Sequence, residues 1–351
     1  MSARPLYTPH AQALSVLYGD LENLARGQTA VFVGTAGSLL ERQNAGGFRF
    51  YSRQFYDGDG KKREQYVAGP VGDSAADAVG SSLRGRIDEV KTATRSLRLL
   101  GREGYTLVDA KTYATLASLH NHGLFRAGAV LVGAHALGVL LNQLGVRSAA
   151  YSTEDVDIAR RNGLLFPSPP TLDFLGMLRE SGVDFVGVPS FDPRQPSTSF
   201  KQRGRGSFQV DLLVPSPDET FPTVSVPELR AHATGIPYLG YLLGETQLAV
   251  LLAREGCCLV RVPTPERFAV HKLIVSSLRA HQGAKSERDL GHAAVLAAVL
   301  SERSPGALEE AVAHVPRAAG RWLRSAVVRL RPLLEGIHPR ALAELEGEPL
   351  G

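Results

Sequence analysis

Asp155 and Asp157 stand at i and i+2 in Ser152-Thr153-Glu154-Asp155-Val156-Asp157-Ile158, a segment whose β-branched residues favour an extended strand. Alternate side chains of a strand share a face, so the two carboxylates look out side by side. Like charges that close repel unless a cation sits between them. Carboxylates on a rigid strand suit Mg²⁺, a hard ion that takes oxygen ligands and usually also holds a substrate phosphate. A third acid, Asp211, follows in an apolar strand, Phe208-Gln209-Val210-Asp211-Leu212-Leu213-Val214. An ionised carboxylate among such neighbours is costly to bury without a partner. Upstream, Val130-Leu131-Val132-Gly133-Ala134-His135-Ala136-Leu137 reads as strand, glycine turn and helix. At Gly133 the missing side chain lets a phosphate approach the backbone, and the N–H groups of the following helix point at it. Phosphoryl or nucleotidyl transfer is the chemistry such a set would perform. Each part also has a plainer reading: Asp-x-Asp as a solvated or salt-bridged strand edge, Asp211 as an edge acid in water.

The elements that must hold these residues fall into three parts. Residues 1–104 begin with a predicted helix (Pro9 to Arg26). A hairpin follows, with aromatic arms Phe48 to Tyr56 and Lys61 to Val67 around Asp57-Gly58-Asp59-Gly60. Ser81 to Arg102 is then an amphipathic helix, with Leu83, Ile87, Val90 and Leu97 on its apolar stripe and Lys91, Arg95, Arg98 and Arg102 on a second face. Residues 105–265 alternate between helix and strand, which predicts a mixed sheet in an α+β core. The expected order is a helix over Asp109 to His120, a strand over Ala129 to Val132, a helix over Ala134 to Leu144 and the Asp155/Asp157 strand. A short helix over Thr171 to Ser181 capped by Thr171, a strand over Phe185 to Val188, a loop over Pro189 to Gly206 and the Asp211 strand complete it. Residues 266–351 are nearly all helical in pattern, predicting a C-terminal bundle with helices over Glu266 to Arg279, Ser286 to Leu300, Ala307 to His314 and Ala318 to Leu334.

Composition sets the outer bounds. With 351 residues, 44% hydrophobic and 21% charged, the chain has the make-up of a globular protein with room for two or three domains. The formal net charge of +4 does not require a nucleic-acid partner but permits a local basic patch. No apolar run approaches the roughly 20 residues of a membrane span. Met1 to His10 has no secretory hydrophobic region, so a cytoplasmic location is the default expectation. Cys257 and Cys258 are adjacent in an apolar segment and read as buried thiols, and no Cys/His cluster has zinc spacing.

With the strand, the glycine turn, Asp155-x-Asp157 and the later Asp211 in place, the chain resembles the nucleotidyltransferase superfamily typified by DNA polymerase β. The resemblance is closer to one little-characterised bacterial branch of nucleotidyltransferase-fold proteins. It is carried by residues 131–136, Leu144-Gly145-Val146-Arg147, residues 153–157, residues 210–213, and Val262 to Leu273 with its Pro263-Thr264-Pro265-Glu266-Arg267-Phe268. It implies a nucleotidyltransferase-type mixed sheet and a catalytic Mg²⁺ (or Mn²⁺) held by Asp155, Asp157 and Asp211. Asp211 would hold the metal that activates the attacking hydroxyl, or act as base toward it. Gly133 would lie under the phosphates of a nucleoside triphosphate such as ATP. Ala134 departs from the pattern, since many members place Gly or Ser there and a hydroxyl to phosphate is lost. The interval to Asp155 is also longer than in compact members, and residues 148–152 are expected to form a loop narrowing the entrance.

Other contacts keep two readings. Lys272 either faces the triphosphate or is a surface lysine. Lys285 and Asp289 form either a helix pair or part of the site wall. His135 reaches a phosphate or packs its helix, and Arg147 pairs with the acids or with phosphate. Lys201, Arg203 and Arg205 are either a closing loop or a solvated turn. The Lys61-Lys62-Arg63 hairpin tip and the Lys91/Arg95/Arg98/Arg102 stripe, with Tyr51, Phe55 and Tyr56 nearby, form either a nucleic-acid surface or a solvated face. The expected function is metal-dependent transfer of a nucleoside monophosphate from an NTP to an acceptor hydroxyl of RNA (tRNA ends among them), protein or a small molecule, with a toxin or defence role included. The rival is a non-catalytic regulator that binds nucleotide or nucleic acid on the same fold.

Overall fold

A computed structural model describes residues 5–148, 155–190 and 194–347. A short strand β1 (Thr8–Pro9) leads into helix α1 (Gln12–Gly27). The anticipated hairpin is formed by β3 (Arg49–Tyr56) and β4 (Lys62–Ala68), and β2 (Ser38–Gln43) adds a third antiparallel strand in the order β2-β3-β4. Ser-Leu-Leu-Glu-Arg-Gln carries no alternation, so β2 owes its conformation to pairing with β3 rather than to local pattern. Helix α2 (Ser74–Arg102) starts ahead of its apolar stripe because the Asp73 carboxylate accepts from the N–H groups of Ala75 and Ala76.

The core opens with α3 (Ala110–Asn121), whose N-cap is Asp109. It continues through β5 (Val130–Val132), α4 (Gly133–Gln143), β6 (Val146–Arg147), β7 (Asp155–Ala159) and α5 (Phe174–Arg179). The cap of α5 is Asp173, which accepts from Gly176 N–H, and not Thr171. Strands β8 (Phe185–Gly187), β9 (Ser199–Gln202), β10 (Gln209–Pro215), β11 (Thr223–Val226) and β12 (Ala231–Ile236) complete the main sheet. Strand β9 lies inside the segment expected to be loop; Phe200 is buried and the strand pairs with both β8 and β10. Helix α6 (Leu239–Leu242) and the hairpin β13 (Thr246–Leu252) and β14 (Cys257–Pro263) close the core, with both cysteines buried as free thiols on β14.

The main sheet runs β11-β12-β10-β7-β5 and is mixed: β7 is parallel to β10 and antiparallel to β5. Val156 and Ile158 on β7 and Val210, Leu212 and Val214 on β10 are buried, which turns Asp155, Asp157 and Asp211 to the opposite face. Helices α7 (Pro265–Leu278), α8 (Ala284–Arg303), α9 (Ala307–Ala313), α10 (Gly320–Leu334) and α11 (Pro339–Glu346) form the helical C-terminal region. One hydrophobic cluster joins Leu131 and Ile158 of the sheet to Phe268, Leu296 and Leu330 of these helices. The architecture is therefore an α+β mixed sheet with helices, as its alternating pattern predicts. No helix among the described residues is long and apolar enough to cross a membrane.

Candidate active site

The turn from β5 into α4 is built around Gly133, whose φ of +70° is left-handed. Only glycine suits it for a second reason. A Cβ on Gly133 would lie 2.0 Å from Asp157 Oδ2, so the missing side chain is the space the carboxylate occupies. Antiparallel pairing sets Val132 opposite Asp157, and parallel pairing sets Asp211 opposite Asp157 and Gln209 opposite Asp155. The two inner acids thus occupy the same register on adjacent strands. Gln209 Nε2 donates to Asp211 Oδ1 at 2.7 Å and fixes that carboxylate. Asp155 lies at the exposed end of β7.

Burial pushes the Asp157 carboxyl up to about 6, and the neighbouring charges of Asp211 and Asp155 push the same way, against Lys272 and Arg279. Two carboxylates at one register in a poorly solvated place are a setting that a divalent cation relieves. The donors are all oxygen, as Mg²⁺ or Mn²⁺ requires. Among the described residues no three Asp, Glu, His or Cys side chains are placed to hold a metal by themselves. That is compatible with Mg²⁺, which is bound through one or two carboxylates plus substrate phosphates and water. The donor chemistry fits the ion: Asp157 and Asp211, at one register, and Asp155, at the exposed end of β7, are the carboxylates that would hold it.

The acids line a cleft of about 380 Å³ whose other wall comes from α7 and α8. Lys272, Arg279, Lys285 and Arg288 give that wall its charge. Lys272 Nζ donates to Asp289 Oδ1 at 2.6 Å, with the side chains only 15% and 8% exposed, and Arg279 Nη1 stands 3.9 Å from Asp289 Oδ2. Behind them His271 and His292 are buried, and burial lowers their pKa values to about 3 and about 4. Both imidazoles are therefore neutral near pH 7, and the wall's positive charge rests on lysine and arginine.

Gly133, Ala134 and Lys272 meet the three acids in this cleft, and so do Lys285 and Asp289. Asp289 is bound to Lys272 on the neighbouring helix rather than to Lys285 one turn back. His135 and Arg147 are not among the cleft-lining residues. Each helical residue rotates its side chain by about 100°, which carries His135 away from the face of Ala134 into a buried setting that lowers its pKa. Arg147 sits on β6, which pairs with β1 outside the main sheet, and its side chain packs beside Gly104. Residues 149–154, with most of the expected entrance loop, lie outside the described residues. Two arginines of the wall, Arg279 and Arg288, escaped sequence reasoning. Helical phase could have found them, because Arg279 is i+7 from Lys272 and Arg288 is i+3 from Lys285.

A family model described as a nucleotidyltransferase matches residues 110–316, more than half of the chain and the whole of this cleft. No curated protein and no solved structure matches the chain.

Proposed function

The chain belongs to this nucleotidyltransferase family, and from that premise we propose that it moves a nucleoside monophosphate from a nucleoside triphosphate to an acceptor hydroxyl, with Mg²⁺ or Mn²⁺ at Asp157 and Asp211. The observation that carries the reading is the Asp157/Asp211 register pair above Gly133, faced across the cleft by a basic wall.

No side chain caps α4, so its first-turn N–H groups remain for a phosphate beside Gly133. Lys272, Arg279, Lys285 and Arg288 face that position and offset the charge of the triphosphate tail. Asp289 holds Lys272 in place. Asp211, oriented by Gln209, is positioned to accept the proton of the acceptor hydroxyl or to orient it. A divalent ion held by the acids would supply charge neutralisation at the phosphates and would lower the pKa of the attacking hydroxyl. In the transfer, the bond from the acceptor oxygen to the α-phosphorus forms as the bond to the bridging oxygen breaks, and pyrophosphate leaves toward the basic wall.

The test is incubation with each α-labelled NTP, Mg²⁺ or Mn²⁺, and bulk RNA or cell lysate. Label transfer should fall roughly a thousandfold in Asp157→Ala and in Asp211→Ala, on the scale expected when electrostatic stabilisation of the transition state is removed. Absence of transfer with every NTP, together with no metal-dependent nucleotide binding, overturns the reading.

A further inference from the structure

A second polar region lies away from the cleft and shares no lining residue with it. Helix α2 carries Lys91, Arg98 and Arg102 at i, i+7 and i+11 on one face, spanning about 16 Å along the axis. One groove of about 560 Å³ runs between that face and the β2–β4 sheet, with Lys62 and Tyr56 on its rim. A second, of about 910 Å³, continues past Arg102 to the start of α3. The two share Arg98, Arg254 and Glu255, so they form one continuous trough.

The charges of the trough are the informative part. Lys62, Lys91, Arg98, Arg102 and Arg254 are all exposed, and among the described residues none has its cationic group in a salt bridge or hydrogen bond. Their neighbours at the hairpin tip differ: Lys61 is paired with Asp59 and Arg63 with Asp57, which removes both from the anticipated basic surface. Tyr51 is also removed, being buried and bonded to Asp77. Two carboxylates enter the trough. Asp109 is spent on the N-cap of α3, and Glu255 is half-buried. Five cations against two carboxylates leave the concave wall with an excess of about three positive charges, a field that attracts a polyanion. Tyr56, 53% exposed at the hairpin end, presents a ring on which a base can stack. A flat lipid surface would not follow the concavity.

We propose that this trough binds single-stranded nucleic acid, with phosphates along Lys91, Arg98, Arg102 and Arg254 and a base on Tyr56. The inference rests on the trough alone and stands or falls independently of the chemistry in the cleft.

Fluorescence anisotropy of the full chain with labelled dodecauridine and dodecathymidine tests it. Four phosphate contacts give a slope of log K against log salt of about −2.8, at 0.7 per contact for a single strand. Reversing two cations, Arg98→Glu with Arg254→Glu, should weaken binding at least roughly tenfold at about 50 mM salt and reduce the slope by about 1.4. Tyr56→Ala should weaken binding about tenfold at unchanged slope, since stacking is not a counterion effect. Arg340→Glu, an exposed site outside the trough, should leave affinity within about twofold. Binding of either polymer with this pattern supports the proposal, and the difference between them reports whether the sugar hydroxyl is read. The proposal is overturned if neither polymer binds saturably, if Arg340→Glu is as damaging as the trough variant, or if only vesicles of anionic lipid are bound.

Discussion

The cleft and the trough hold their cations in opposite ways. Lys272 is largely buried against Asp289, with Arg279 drawn to the same carboxylate, whereas Lys91, Arg98 and Arg102 stand in water with no salt bridge or hydrogen bond. A buried pair has given up hydration to hold one geometry, and it responds little to salt. An exposed array keeps its long-range field and loses it as salt rises. The first suits a site that must place a charge against a reacting phosphate; the second suits a surface that collects a long polyanion. The regions are joined structurally, because Asp59 of the hairpin turn accepts from Gln202 Nε2 on β9, three residues from Ser199 in the cleft wall.

The contrast can be broken most forcefully at Asp289. Asp289→Ala leaves Lys272 buried without its anion and should cost about 3 kcal/mol of stability, the low end for a broken buried pair because the lysine is not wholly enclosed. Asp289→Asn keeps an acceptor for the ammonium and should cost less. Urea unfolding of the two variants checks both. A loss from Asp289→Ala of under about 1 kcal/mol would put the pair in the class of surface salt bridges and erase the distinction.

That pair also marks where the sequence stops being legible. Alternation of apolar and acidic residues around Val156 and Val210 places the acids on one face of their strands, and the hairpin between Arg49 and Ala68 follows from its turn residues. Which strands become neighbours is a long-range outcome, so the register that sets Asp211 beside Asp157 cannot be read locally. The same holds for Lys272 with Asp289, which depends on how α7 and α8 pack. Strand β9 was hidden by a composition of Pro, Ser, Gly and Arg that reads as loop; the burial of Phe200 and pairing on both sides override it. His135 shows the cost of ignoring helical phase at a helix start. In the trough, the α2 stripe was visible in the sequence, but Arg254 reaches it from the β13–β14 turn and was not.

A smaller effect sharpens the comparison through pH. Burial, with help from the Lys272 and Arg279 charges and against Asp289, lowers the His271 pKa from 6.5 to about 3. Between those values the unfolded chain binds a proton that the folded chain refuses. Stability is therefore full above the unfolded pKa and is lost as the pH falls toward the folded one. Going from pH 7 to pH 5, His271 alone should remove about 2 kcal/mol, and His292, lowered to about 4, should add to the loss. His271→Gln abolishes the first share, so its unfolding free energy should decline less over that interval by about 2 kcal/mol. Equal declines in the variant and the parent would show that the imidazole is not kept neutral by its burial in the wall.

The smallest effect is expected in the trough, and its smallness is the point. Arg98 has no salt bridge or hydrogen bond to lose, so Arg98→Ala should change stability by less than about 0.5 kcal/mol. Relief of repulsion from Lys91 and Arg102 on the same face favours a slight gain, largest at low ionic strength, where the field is least screened. Urea unfolding at low and high salt separates the outcomes. A gain that shrinks with added salt means the trough holds its charge at a cost to the fold, as a surface kept for a polyanion would. A loss above about 1 kcal/mol would mean that Arg98 is structural, and the cations of the trough would then differ from Lys272 in exposure but not in role.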